Sequence, residues 1–204
     1  TFDEVHNNTN NSTIKTAVDN WYKTNIADKG YGSYISNAVG FCGDRSLPAG
    51  VWGTSDSGDG ISNNKYSYFG PYARYVKNIA QFTCPNIERD LYTASDASIG
   101  NKALTYPVGL ITYDEMVFAG MDNKHINKLS YVYSTQRYWT MSPSHFNATD
   151  GYANEWGEYD IGFLTRYWIT SWYGARPVIN LKSDIKITGG IGTSNDPFII
   201  DTNK

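Results

Sequence analysis

Two cysteines, Cys42 and Cys84, and three histidines, His6, His125 and His145, are all the thiol and imidazole groups in the 204-residue chain. The cysteine spacing matches no zinc motif, and no second pair exists to complete a four-ligand site. An even cysteine count outside the cell favours one disulfide, whereas in the cytosol both would be buried thiols. Charge is also scarce, at 18% of residues, with 17 basic against 20 acidic side chains and a net charge of -3. No basic run is present, which argues against nucleic acid as a partner. No apolar run approaches the ~20 residues that a membrane-spanning helix needs. The chain begins at Thr1 and shows no signal peptide. The expectation is therefore a mature or trimmed form, with membrane attachment only through a segment absent from this chain.

What is plentiful is aromatic. Phe, Trp and Tyr make up 15% of the chain, including 17 Tyr and 6 Trp, among many Asn, Ser, Thr and Gly. Such a mixture suits an extracellular recognition surface, because Tyr and Trp offer large contact area at small entropic cost. An ordinary all-β secreted domain has a similar composition. Both readings place the chain outside the cell and tip Cys42 and Cys84 towards the disulfide. The length and the 40% hydrophobic content suit one globular domain with a sizeable core.

Residues 1–11 are polar and aperiodic and read as a flexible entry, with a single domain over residues 12–204. From Ser12, the residues Ile14, Val18, Trp21, Tyr22 and Ile26 fall on one face of a helix that Ser12 or Thr13 caps and Lys29-Gly30 ends. Residues 30–105 read as irregular, with turn signals every few positions. The acidic loop from Asp56 to Gly60 lacks the ligand pattern of a calcium-binding hand and reads as solvated. A short strand, Val108 to Ile111, is expected to lead into a helix opened by a Thr112/Glu115 capping box and stopped at Gly120. Met116, Val117 and Phe118 would face its core. Tyr138 to Met141 reads as a strand broken by Ser142-Pro143-Ser144. After Gly151, short strands are expected between Gly157, Gly162 and Gly174. Ala175 to Ile187 reads as a further strand, and Phe198 to Ile200 as the last.

Eight aromatics stand between Tyr152 and Tyr173: Tyr152, Trp156, Tyr159, Phe163, Tyr167, Trp168, Trp172 and Tyr173. Two pairs are adjacent, Tyr167-Trp168 and Trp172-Tyr173. Neighbours in a strand point to opposite faces, so one ring of each pair leaves a single core face. Either both faces are covered, or some rings are exposed; the second is the preferred reading.

Four stretches in order, "LITYDEMVFAG", "YWTMSPSHFN", "GARPVINLKSD" and "ITGGIGTSNDPFII", resemble a family of uncharacterised bacterial surface domains. The resemblance runs from about Ser12 to Ile200 and is strongest from Gly109. Members of that family often follow a pilin-like or other membrane-anchoring segment. Thr112 to Gly120 and Gly174 to Arg176 are also similar to landmarks of the C-type lectin fold, in the branch shared with formylglycine-generating enzymes. That resemblance implies an α+β fold with short twisted antiparallel strands, two main helices and long irregular loops. The same fold hosts the variable proteins of diversity-generating retroelements. By that likeness, Gly162, Leu164, Ile169, Gly174, Arg176, Pro177 and Val178 form a fixed frame around variable "TRYW" and "TSWY" stretches.

The enzyme of that branch needs a reactive cysteine pair near its C-terminal core, and no cysteine follows residue 84. His145 is the best placed histidine, but no nucleophile elbow surrounds it. Asp150, Glu155, Glu158 and Asp160 offer the carboxylates of a glycosidase, though a solvated acidic face is commoner. Calcium-binding lectin tripeptides of the Glu-Pro-Asn or Gln-Pro-Asp type are absent. The expectation is a binding domain without catalytic residues, cofactor or metal, on a cell or virion surface. Its candidate ligand-binding residues are Asn154, Glu155, Trp156, Glu158, Tyr159, Phe163, Thr165, Arg166, Tyr167, Trp168, Thr170, Ser171, Trp172 and Tyr173. The ligand would be a protein or a glycan, with rings supplying stacking and Arg166, Glu155 and Glu158 supplying orientation. Trp139, in its strand, reads as a scaffold ring; the resemblance implies the same for Trp156 by its spacing to Gly162, and Arg176 reads as a fold anchor. A structural pilus or surface-assembly subunit, with the aromatics as an interface, is the alternative. The oligomeric state is left open.

Overall fold

A computed structural model describes residues 11–48, 66–147, 152–193 and 195–202. The predicted flexible entry, but for Asn11, the acidic loop at 56–60, His6 and Asp150 lie outside them. The described residues form a mixed α+β structure with short helices and small antiparallel sheets.

The N-terminal helix α1, Thr13–Tyr22, starts where Ser12 caps it by accepting a hydrogen bond from the Lys15 N–H at 3.2 Å. It continues as a π-turn, Lys23–Ala27, and Gly30 then turns the chain at φ 76°. Val18 and Tyr22 are buried, and Ile14, Trp21 and Ile26 pack beside them, on the face that the spacing predicts. Strand β1, Phe41–Cys42, pairs with β3, Leu91–Tyr92. Between them lie strand β2, Tyr66–Tyr68, helix α2, Gly70–Lys77, and the single turn α3, Ile87–Asp90. Thus the stretch read as irregular does contain a helix. Its signals are Pro71 in the first turn, Arg74 and Lys77 in the last, and Asn78 closing it at φ 55°. Helix α4, Tyr113–Phe118, has both halves of the Thr112/Glu115 capping box.

The main sheet is antiparallel in the order β2-β4-β5-β6, with β4 at Tyr138–Asn147, β5 at Tyr152–Tyr159 and β6 at Phe163–Trp168. Its two faces carry two cores. On one side Tyr113, Met116, Met121, Val132, Tyr138, Trp156 and Leu164 pack together, with Tyr72 and Tyr75 of α2 against them. On the other, Trp139 joins Val18, Tyr22, Ile35, Val108 and Leu110, with Met141, Tyr167 and Tyr173 against them. A small ribbon of β7, Ile187–Gly189, and β8, Ile199–Ile200, follows.

Several expectations are corrected. Ser142-Pro143-Ser144 does not break β4; the strand runs on through register shifts on both sides of Pro143, which absorb the missing N–H. Gly157 lies inside β5 and separates nothing. Val108 to Ile111 and Ala175 to Ile187 are not continuous strands. Apart from Ile187, which opens β7, they are tied at points, among them the bridges Gly109 to Val178 and Ile35 to Leu181 and the Met141 N–H to Ile111 carbonyl bond of 2.8 Å. Phe118 leaves the core, 76% exposed, and sets its ring edge-on to Phe82.

Two buried ion-pair groups brace the N-terminal half. Arg74 of α2 grips Asp114 of α4 with two bonds of 2.6 Å and reaches Asp44 at 2.7 Å. Asp90 accepts from the side chains of Arg45 and Arg89 at 2.8–2.9 Å, and these bonds hold its carboxyl below the usual range against the opposing effect of burial. Cys42 and Cys84 are joined by a disulfide with a Cα–Cα distance of 5.6 Å.

Candidate functional site

The hairpin of β5 and β6 organises the aromatic segment. Its loop is Asp160-Ile161-Gly162, closed by the Gly162 N–H to Tyr159 carbonyl bond of 2.8 Å, with Gly162 at φ 96°. The register pairs Asn154 with Trp168, Glu155 with Tyr167, Trp156 with Arg166, Gly157 with Thr165, Glu158 with Leu164 and Tyr159 with Phe163. Alternation then sorts the side chains into two sets.

The set facing α2 and α4 holds Asn154, Trp156, Glu158, Leu164, Arg166 and Trp168. Trp156 is 1% exposed and contacts Tyr75 and Tyr113 at ring distances of 5.0 and 4.6 Å. The guanidinium of Arg166 lies 4.9 Å from the Tyr72 ring centre and 5.7 Å from those of Tyr75 and Trp156. Glu158 is 0% exposed, and burial pushes its carboxyl up to about 8, against the opposing effects of the Ser134 N–H and the Arg176 charge. Asn154 is buried as well. Asn154, Trp156 and Glu158 are therefore interior, and a ligand at the surface does not meet them. Each lies on a strand buried on that face, where an alternating pattern delivers core positions whatever the residue type.

The set facing α1 holds Glu155, Tyr159, Phe163, Thr165 and Tyr167, all half-buried. Here Arg137 sits 3.9 Å from the Tyr159 ring centre, 6.0 Å from Tyr167 and 5.8 Å from Tyr173. Tyr173 stacks on Trp139 at 4.6 Å and meets Tyr167 edge-on at 4.6 Å. This stack lies over Gly157. A β-carbon there would come within 2.8 Å of the Tyr138 carbonyl and 3.6 Å of the Tyr173 ring. Sequence reading missed both Gly157 as the bed of the stack and Arg137 as its cation.

The exposed residues lie at the end of β6 and in the turn beyond it. Trp168 is 54% exposed and Trp172 is 99% exposed, with Ile169 and Thr170 open between them and Ser171 half-buried. The turn is bonded from the Ser171 N–H to the Trp168 carbonyl at 2.8 Å. It is fixed at both ends. The Ile169 N–H reaches the Ala153 carbonyl at 3.1 Å, and Gly174 exchanges bonds of 2.8 and 3.0 Å with Arg137 and Trp139 of the β4 side. In each adjacent aromatic pair, the tyrosine packs and the tryptophan projects. Arg176 donates to the Val132 carbonyl at 2.6 Å and to the Tyr138 hydroxyl at 3.4 Å, which suits a fold anchor.

Glu155 and Glu158 stand on opposite faces of β5, so they do not converge across one cleft, as a glycosidase pair would. Asp160 is 3.3 Å from Arg137. His145 lies among Tyr68 and Tyr72, with the Ser144 hydroxyl 3.2 Å from its ring nitrogen. Burial first, then the charge of Arg166, lower its pKa to about 4, so it is neutral at pH 7. Among the described residues, no group of three or more His, Cys, Asp and Glu side chains is arranged to hold a metal ion, and no helix is long and apolar enough to cross a membrane. Compared with protein-family models, curated proteins and solved structures, the chain matches none.

Proposed function

We propose that this chain is a non-catalytic, ligand-binding domain of C-type lectin-like architecture, working outside a bacterial cell or on a virion. Its binding face is the turn after β6, diversified by a retroelement, and its ligand is a protein or a glycan. One observation carries this reading. Trp168 and Trp172 stand exposed on a turn pinned at both ends to a sheet packed on both faces. With the backbone already fixed, two indoles held out in this way spare a ligand the cost of ordering the turn and desolvate a large area. Thr165 and Thr170 can add hydrogen bonds at the rim. The resemblance of the segment to variable proteins supports diversification, as does the division of its residues into packed and projecting sets.

The test is a binding screen of the protein against candidate surface proteins and glycans, repeated with Trp168→Ala and Trp172→Ala. Binding that disappears in both variants while melting is unchanged supports the reading. Ligands that bind the variants as well as the parent exclude it.

A second reading, a subunit of a pilus or surface assembly, is favoured by the β7/β8 ribbon. Ile187, Ile191, Phe198 and Ile199 are exposed there, and a two-stranded ribbon is marginal without a partner. Concentration-dependent association, lost on changing Ile199 and Phe198 to Ser, would favour this reading over the first.

A further inference from the structure

A cleft of about 470 Å³ lies beside the Cys42–Cys84 disulfide, between the β1 region and the start of α4, and none of its described lining residues comes from the hairpin or the turn after it. Its rim is apolar: Val39, Phe82, Ile87 and Ile99 line it and are exposed. Phe82 is held edge-on to Phe118 with 5.1 Å between ring centres, so its orientation is set. The Cys42–Cys84 disulfide ties two of the walls together. At the base lie Arg74, Asp44 and Asp114, and Glu115 stands exposed beside them.

The charge of these groups does not balance. Arg74 is the one cation among the described lining residues, and it already donates to Asp114 twice and to Asp44 once. Asp44, Asp114 and Glu115 are formally three negative charges against one positive, leaving the described lining at -2. A volume of this size, with an apolar collar and a few fixed polar groups, is the usual form of a small-molecule site. Clustered exposed hydrophobic side chains on a folded surface mark such places.

We propose that this cleft is a second binding site, for a small organic cation: a primary ammonium or guanidinium group on an apolar or aromatic body. The body displaces water from the collar of Val39, Phe82, Ile87 and Ile99. The cation lies towards Glu115 and the carboxylate pair, and the ring face of Phe82 attracts it further. Arg74 does not recruit an anion, because three of its donors are engaged and its neighbours carry excess negative charge. The site is independent of the turn that carries Trp172, and nothing in its chemistry requires that turn.

The experiment titrates the protein with phenethylammonium, with 2-phenylethanol as the neutral isostere, and with 3-phenylpropanoate. Methyl resonances of Val39, Ile87 and Ile99 report occupancy by NMR. The expected order is ammonium tighter than alcohol by about fivefold, with the carboxylate weakest. Glu115→Gln keeps the capping box and should narrow the ammonium-to-alcohol ratio to less than about twofold. Phe82→Ala should weaken both ligands together, and Trp172→Ala should change neither. Equal affinity for the three probes, preference for the carboxylate, or shifts that do not saturate at the collar would overturn the proposal. So would a Glu115→Gln variant with an unchanged ratio.

Discussion

Tyr167 and Trp168 are consecutive in the chain and lie on opposite faces of the same sheet. Tyr167 meets Tyr173 at 4.6 Å on the α1 side, while Trp168 projects half-exposed at the sheet edge. Their replacement should therefore have unequal effects. Tyr167→Ala or Tyr173→Ala removes a packed ring and should cost about 2–4 kcal/mol. Trp172→Ala touches nothing in the fold and should stay within about 0.5 kcal/mol of the parent. Urea unfolding of the four single variants, with Trp168→Ala between these limits, checks this. Equal losses across the set would mean that the turn packs in solution.

Glu158 gives the fold a dependence on pH. Its carboxyl titrates at about 8 in the folded protein and near 4.3 in an unfolded chain. The folded state therefore holds the proton through that interval and the unfolded state does not. Stability is complete below about pH 4.3 and is lost as pH rises towards 8, at up to roughly 1.4 kcal/mol per unit. Asp160 reinforces the effect and Arg176 opposes it. Glu155, half-buried and raised to about 8 by burial, adds in the same direction. In Glu158→Gln the slope between pH 5 and 8 should shrink, and the variant should be the more stable protein at pH 8. A slope as steep as the parent's would place the titration elsewhere.

Arg74 and Asp114 link α2 to α4 by a bidentate pair inside the protein. Asp114→Ala leaves a buried guanidinium with half its partners and should cost about 3–5 kcal/mol. Because Arg74 also holds buried Asp44, replacing Arg74, Asp114 and Asp44 together with apolar side chains of similar volume should cost much less than Asp114→Ala alone. A double-mutant cycle measured by chemical denaturation reads this coupling.

Gly157→Ala introduces one methyl group against the Tyr138 carbonyl at 2.8 Å. Backbone cannot rotate out of the way as a side chain does, so the expected loss is about 1–3 kcal/mol. The near-ultraviolet circular dichroism of the Trp139–Tyr173 stack should change with it. An unchanged spectrum would mean that the stack does not rest on this glycine.

Cys42 and Cys84 close a loop spanning 42 positions. On the chain-entropy account, Cys42→Ser with Cys84→Ser should lower stability by about 4 kcal/mol. Thermal unfolding of the double variant, with and without reductant in the parent, measures it.

Local chemistry was the legible part of the chain. Ser12, the Thr112/Glu115 box and the Gly162 turn act within a few residues of themselves, and the structure places each as expected. The α1 face was legible too, because a helix repeats its burial every turn. What stayed hidden depends on residues far apart. Pro143 looked like a strand breaker until the register shifts of β4 against β5 supplied a place for it. Trp156 and Trp172 carry the same side chain in the same aromatic run, yet one is core and the other is fully exposed. Only the pairing of β5 with β6, and the arrival of α2 and α4 on one face, separates them. The Arg74 and Asp90 clusters join residues up to 45 positions apart, and no spacing rule connects such partners. Ala175 to Ile187 has strand composition but pairs through the bridges of Val178 to Gly109 and Leu181 to Ile35, distant partners that no local pattern announces, and joins a strand only at Ile187.

The two clamps around the turn, at Ile169 and Gly174, act as a mechanical firebreak. A change of side chain at Thr170, Ser171 or Trp172 meets backbone already fastened on either side, whereas Tyr173, between the same clamps, belongs to the packed stack. The molecule can thus change what it presents to the outside without renegotiating what holds it upright.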